Sequence, residues 1–299
     1  PLTAEQVALG RQLFFEPRAS LDGSVSCATC HQAARFGTDA RPKSRGVLDR
    51  PLPRNAPTVL NAAGQLVQHF GGKRQDVEAQ ATDALANPLV YGNADVDAAM
   101  AKLKAIPGYR ALFAKAFPDD PAPIRAENWG KAIGAFERTL VTPGTLDLVI
   151  PGDITAMPSQ ARYGMGKFIR TGCAACHNGA LVGGTSFRKF GLVVDYWTAT
   201  KSPEIDKGRF TETRDEADLY LFKVPSLRNV AKTAPYFHDG SVAKLEDAVR
   251  VMALTQLGKR LPDEDVEDIV AFLEALTGEV PPGFREAPIL PPDPLPAPR

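Results

Sequence analysis

Cys27-Ala28-Thr29-Cys30-His31 and Cys173-Ala174-Ala175-Cys176-His177 are two copies of one pattern, and together they hold all four cysteines of the chain. Each copy offers two thiols at i and i+3, spaced to form thioethers with the vinyl groups of one haem, and an adjoining imidazole able to ligate its iron. The pattern predicts two covalently bound c-type haems, attached by Cys27, Cys30, Cys173 and Cys176, with His31 and His177 as axial ligands. C-x-x-C alone also serves a zinc site, a thioredoxin-like redox pair or a disulfide framework. Against these stand the histidine after each pair and the separation of 146 positions from Cys27 to Cys173; the knuckles of a zinc ribbon lie about 15 to 20 apart. Haem attachment of this kind takes place outside the cytoplasm, so the expected compartment is the periplasm.

A helix is expected to lead into each motif. Thr3-Ala4-Glu5-Gln6 resembles a capping box ahead of Val7, Leu9, Leu13 and Phe14. Ser159-Gln160 can start a helix through Tyr163, Met165, Phe168 and Ile169 that ends near Gly172, just before Cys173. Further helical periodicities cover Val77 to Leu85, Val96 to Ile106, Tyr109 to Phe117 and Trp129 to Leu140. A last run, Val266, Ile269, Val270, Leu273 and Leu276, starts after Pro262 and stops at Gly278. Prolines and glycines cluster between Val141 and Pro158 and mark a boundary. The reading is an N-terminal haem domain over residues 1–150 and a C-terminal one over 151–280. Residues 281–299 carry eight prolines and predict an extended, PPII-like tail that makes no helix. Strand patterning is sparse, so the fold class is mainly α, with few strands and long loops wrapped on cofactors.

The chain has 299 residues, 44% hydrophobic and 23% charged, which excludes disorder and collagen-like repeats as its main state. Lysine plus arginine and aspartate plus glutamate number 35 each, so no global field attracts nucleic acid or an anionic membrane. No apolar run approaches the ~20 residues that span a bilayer. The start at Pro1 has neither the charged region nor the apolar run of a leader, and reads as a mature or trimmed chain whose leader precedes it.

Three stretches, taken with both motifs, resemble the bacterial di-haem cytochrome c peroxidases and their MauG-type relatives. They are Arg54-Asn55-Ala56-Pro57-Thr58, Ala135-Phe136-Glu137-Arg138-Thr139-Leu140, and Phe222 to Val230 running on to Tyr236-Phe237-His238-Asp239-Gly240. The likeness runs in order from about Leu9 to Gly278. It implies two cytochrome-c-like domains facing each other across a calcium-bearing interface, and reduction of hydrogen peroxide with electrons from a small donor, a cytochrome c or a cupredoxin. By the resemblance, the His177 haem is the electron-entry site with Met252 as its second ligand, a thioether that raises the potential; the other reading of Met252 is a core methionine. The His31 haem is the peroxide site, with Gln80 as the distal glutamine. Calcium falls to Asn55, Thr233 and Pro235, which offer hard oxygens. A second copy of the chain is a further candidate partner.

The match also has departures. No histidine lies between Gln32 and Gln68, which implies an iron open to peroxide without prior reduction; His69 is the nearby alternative ligand, or else a propionate or interface contact. Phe70 stands where the family carries a bridging tryptophan, Ala84 where it carries a proline, and Val90 where it carries a glutamate that moves a proton during O–O cleavage. Asp83, one turn from Gln80, can substitute for that glutamate, or is a solvated helix residue. A register shift in the match would instead hand the acid to Glu78 or Asp76. Three functions follow: a peroxidase, an electron-transfer cytochrome that has lost efficient peroxide chemistry, or a MauG-like oxidase of a partner protein. Tyr196, Trp197 and Trp129 read as packing residues.

Overall fold

The structure, a computed structural model, describes residues 2–293. It is mainly α. Helices α1 (Ala4–Phe14), α2 (Cys27–Cys30), α3 (Val77–Ala86), α4 (Val96–Lys104), α5 (Pro107–Ala116) and α6 (Ala126–Glu137) form the first half. Helices α7 (Thr145–Val149), α8 (Ser159–Thr171), α9 (Tyr196–Thr200), α10 (Phe210–Thr213), α11 (Leu245–Leu257), α12 (Asp263–Glu274) and α13 (Pro282–Arg285) follow. Among the described residues the one sheet pairs β1 (Phe187–Lys189) with β2 (Leu221–Lys223), antiparallel, with Arg188 opposite Phe222.

Local chemistry explains several helix ends. The Thr3 hydroxyl accepts the Gln6 backbone N–H at 3.1 Å and the Gln6 side chain returns to Thr3, a closed capping box. Gly172 ends α8 at φ +111°, a left-handed position suited to glycine. Helix α11 was not expected. Its first flank, Lys244, makes no side-chain cap, so no start signal marks it.

Two hydrophobic cores form by the same device. In the first, α1 crosses α6 so closely that a Cβ on Gly10 would lie 1.8 Å from the Ala132 carbonyl oxygen. In the second, α8 crosses α12, and a Cβ on Gly164 would lie 1.7 Å from the Asp268 carbonyl oxygen. Only glycine permits either approach. Phe14 meets Phe136 edge-on at 5.4 Å in the first core, and Phe168 meets Phe272 at 5.2 Å in the second. Burying each such side chain contributes about 1.5–3 kcal/mol.

The proline-rich stretch corrects an expectation. Pro282 to Arg285 make a helical turn, α13, and Phe284 is 1% exposed, packed on Phe14 at 5.7 Å. Arg11 donates to the carbonyls of Gly283 and Glu286, and Arg18 pairs with Asp293 at 2.6 Å. Proline is compatible with a helix's first turn, and one buried aromatic outweighs the extended preference of its neighbours. The remainder of the expected tail, residues 294–299, lies outside the described residues.

The two halves also share an internal repeat at a constant separation of 168 residues, from Pro57 with Pro225 onward. Asn61 and Asn229 both take left-handed backbone, at φ +59° and +63°. So do His69 and Phe237, and Gly72 and Gly240. Gln68 bridges Arg74 as Tyr236 bridges Val242, and α3 begins at Val77 as α11 begins at Leu245. The Thr58 hydroxyl donates to Phe36 O at 2.6 Å, five residues past His31. Its counterpart Ser226 donates to Leu181 O at 2.8 Å, four past His177. Each C-x-x-C-H motif is thus tied to an equivalent supporting loop.

Candidate functional site

Helix α8 delivers Cys173, and α11 faces it across a cavity of about 280 Å³. Cys173, Cys176, His177 and Met252 all line that cavity, among Phe168, Leu227, Ile269 and Leu273. Of the other methionines, Met100 and Met157 are buried in the two cores and Met165 packs against the second. Both thiols are free. Burial pushes the His177 imidazole down to about 4, against the opposing pull of the Val182 and Pro225 backbone, so it is neutral and able to ligate a metal. Its Nδ1 faces the Pro225 side of the site without a full hydrogen bond. Two thiols, an imidazole and a thioether around one apolar cavity fit a thioether-linked haem with two axial ligands.

At the first motif, the Ser26 N–H donates to Thr29 Oγ1 at 2.9 Å and steadies α2. His31 Nδ1 lies 3.0 Å from the Gly37 carbonyl. That bond puts the proton on Nδ1 and leaves Nε2 as the metal-binding nitrogen. Burial lowers the His31 pKa, so this ring too is neutral. Cys27 Sγ lies 3.5 Å from the Tyr91 hydroxyl, and Cys30 Sγ 3.7 Å from the Arg45 carbonyl.

Helix α3 carries the residues expected beside the His31 site. The Gln80 side chain makes no hydrogen bond among the described residues. Asp83 is paired with Arg74 and with Lys73 at 3.0 Å. Burial raises its carboxyl, but those two cations outweigh burial and hold it below the ordinary range. The other two carboxylates weighed from sequence are also engaged: Glu78 with Arg138, and Asp76 as the cap of α3, accepting from Ala79 N at 2.7 Å. Val90 packs on the first core, and its carbonyl accepts the Val47 N–H at 3.0 Å. Ala84, buried in α3, is the repeat counterpart of Met252, 168 residues away.

Asn55, Thr233 and Pro235 all line the cavity. The Asn55 N–H donates to the His238 carbonyl at 2.7 Å, and its side-chain amide donates to Arg41 O at 2.7 Å, which leaves Oδ1 as the available acceptor. Among the described residues no group of three His, Cys, Asp or Glu side chains could hold a metal. His69 and Phe70 line the cavity as well; burial first, then Lys73, push His69 down to about 4.

Sequence reasoning missed several residues in and around the cavity. His238, buried, stacks on Phe222 at 4.5 Å and meets Tyr196 and Phe70 edge-on. Arg54 grips Asp206 with two bonds of 2.6 and 2.8 Å, joining the two halves. Lys223 is buried beside them. His238, Arg54 and Lys223 stand within the stretches that carried the resemblance, but nothing in their spacing marks them.

Comparison with known proteins matches residues 4–154 to the family model of di-haem cytochrome c peroxidase. The cytochrome c551 peroxidase of Pseudomonas aeruginosa is 42% identical, over 97% of this chain and 83% of that protein. The methylamine utilization protein MauG of Methylorubrum extorquens is 35% identical, over 93% and 80%. Among solved structures, a MauG-like protein associated with microbial copper homeostasis superposes with a TM-score of 0.83 at 29% identity, over 95% of this chain and 93% of that one. The diheme peroxidase BthA of Burkholderia thailandensis, at 19% identity and a TM-score of 0.76, shares the fold over 97% and 91%. This chain therefore belongs to the di-haem cytochrome c peroxidase family, a family of haem-containing, peroxidase-type oxidoreductases.

Proposed function

We propose that this protein reduces hydrogen peroxide to two water molecules in the periplasm, with two protons and two electrons from a small cytochrome c or cupredoxin. The observation that carries this reading is an asymmetry within the repeat: Met252 faces the cavity of His177, whereas its counterpart on α3 is Ala84. One site is built to be closed by a thioether, and the other has a methyl group where that ligand would stand. Haem bound at each motif supplies the redox centres, with electron entry at the second site and peroxide at the first. In this reading Cys27, Cys30, Cys173 and Cys176 hold the two groups, His31 and His177 ligate from one side, and Met252 completes the second site. In this reading the domains are residues 1–150 and 151–280, and Phe284 of the stretch 281–299 closes the core of the first.

Gln80 orients peroxide through an amide not committed elsewhere. Asp83, charged and paired with two cations, acts as an acceptor beside it and not as a proton donor at neutral pH. Calcium, held by Asn55 Oδ1 and the carbonyls of Thr233 and Pro235, would fix the wall between the sites. An electron carrier is the second reading, favoured by the partners found for Asp76, Glu78 and Asp83. Rapid mixing of the holoprotein with hydrogen peroxide and a reduced small cytochrome separates the two. Sustained donor oxidation, stoichiometric with peroxide, supports the peroxidase; electron exchange that ignores peroxide supports the carrier.

A further inference from the structure

The cavity around His177 and Met252 has a charge imbalance. Arg188, Lys189 and Lys223 line it, and no aspartate or glutamate does. Lys223 is the buried one, 6% exposed. Its ammonium donates to the Val67 carbonyl at 2.9 Å. Burial alone pushes it down to about 8, with no charged neighbour contributing. The nearby carboxylates are committed, Asp206 to Arg54 and Asp83 to Lys73 and Arg74. A buried ammonium without a counter-charge is costly, so a native protein normally supplies one.

His69 stands on the same wall. The Lys223 N–H donates to the Phe70 carbonyl at 2.8 Å, which brings β2 against the segment that carries His69. Its Nε2 is buried and meets no partner. Lys223, without a counter-charge, and His69, with an unpaired ring nitrogen, thus line one cavity, and the missing partner is an acceptor with negative charge. Haem carries two carboxylates of its own.

We propose that Lys223 and His69 form a carboxylate seat, where the segment 67–70 meets β2, that takes a propionate of the haem held by His177 and raises that haem's reduction potential. The proposal rests on the haem reading of Cys173 and Cys176. A propionate left uncompensated favours the ferric form, so neutralising it favours the ferrous form. Lys223 and His69 are positioning residues that act through the cofactor.

The test is a spectroelectrochemical titration of the holoprotein, with the covalent haem on each motif counted by peptide mass. In Lys223→Met the ferrous-to-ferric ratio of the His177 haem, at a fixed applied potential, is expected to fall about tenfold, a downward shift of about 59 mV for one electron. Lys223→Arg, which keeps the charge, should restore most of it. His69→Phe should lower the ratio severalfold and His69→Gln, which keeps a donor, should recover it. A Lys223→Met protein with both haems and the wild-type potential overturns the seat, as does an Arg variant that falls equally. If Lys223→Met does not fold, an unshifted His69→Phe overturns it. A wild-type protein without haem on Cys173 and Cys176 shows that the haem reading itself failed, and the seat with it.

Discussion

Asn61 and Asn229 donate their side-chain amides to the same hydroxyl, that of Thr142, at 2.8 and 2.9 Å. The two asparagines are repeat counterparts, each in left-handed backbone. Each also holds the chain just past a core helix: Asn61 N–H donates to Leu140 O, after α6, and Asn229 N–H to Leu276 O, after α12. One linker residue therefore clamps the two halves at equivalent points. Removing its hydroxyl leaves two buried amides unpaired, at about 1–3 kcal/mol each. Thr142→Val is expected to lower stability by about 2–4 kcal/mol, seen as a lower urea midpoint with an unchanged slope.

Glu137, in the stretch that resembles the family, is buried. Burial, then the neighbouring Glu78 carboxylate, push its carboxyl up to about 8, with Arg138 pulling the other way. A carboxyl whose folded pKa exceeds its unfolded value holds its proton more tightly when folded. Its contribution is complete below the ordinary 4.5 and is lost as the pH rises toward about 8. Stability of the holoprotein should therefore fall across that window. In Glu137→Gln, urea midpoints measured at a series of pH values should decline less steeply.

Met252 is expected to set the character of the second site. Met252→Ala removes the thioether that favours ferrous iron, so the potential of the His177 haem should fall. The same variant should gain affinity for small external ligands at that haem. A potential that stays in place would show that the thioether does not reach the iron.

By the resemblance, Val90 stands where an acid is expected, and the carboxylates of α3 and its cap all have partners. A positioned acid–base group typically contributes about 10²–10⁴-fold. Val90→Glu is expected to raise the rate of peroxide consumption by about 100-fold, and Gln80→Ala to lower it about tenfold. Both are read by stopped-flow absorbance at limiting peroxide.

Much of this architecture is legible in the sequence because it rests on local signals. The capping box at Thr3, the glycine after α8 and the two C-x-x-C-H motifs each mark a place where a few adjacent residues decide the outcome. Helix α11 lacks a cap at Lys244 and presents its apolar stripe to a cofactor cavity, so its start carries no such signal. Phe284 gives α13 its reason to exist through contact with Phe14, 270 residues earlier, and no window of neighbours can register that. The partners of Asp83 are nearby in sequence, yet only the bend at residues 75–76, before α3, turns Lys73 and Arg74 onto it. Lys223 and His238 matter through burial, which spacing does not reveal.

If Met252 closes one haem site and the other is open above α3, the two irons differ in their access to small anions. Cyanide titration of the ferric holoprotein, followed by absorbance, reads that difference. One cyanide is expected to bind per chain, at the His31 haem, and a second only in Met252→Ala. No binding to the ferric wild type, or binding at both haems, would contradict this arrangement.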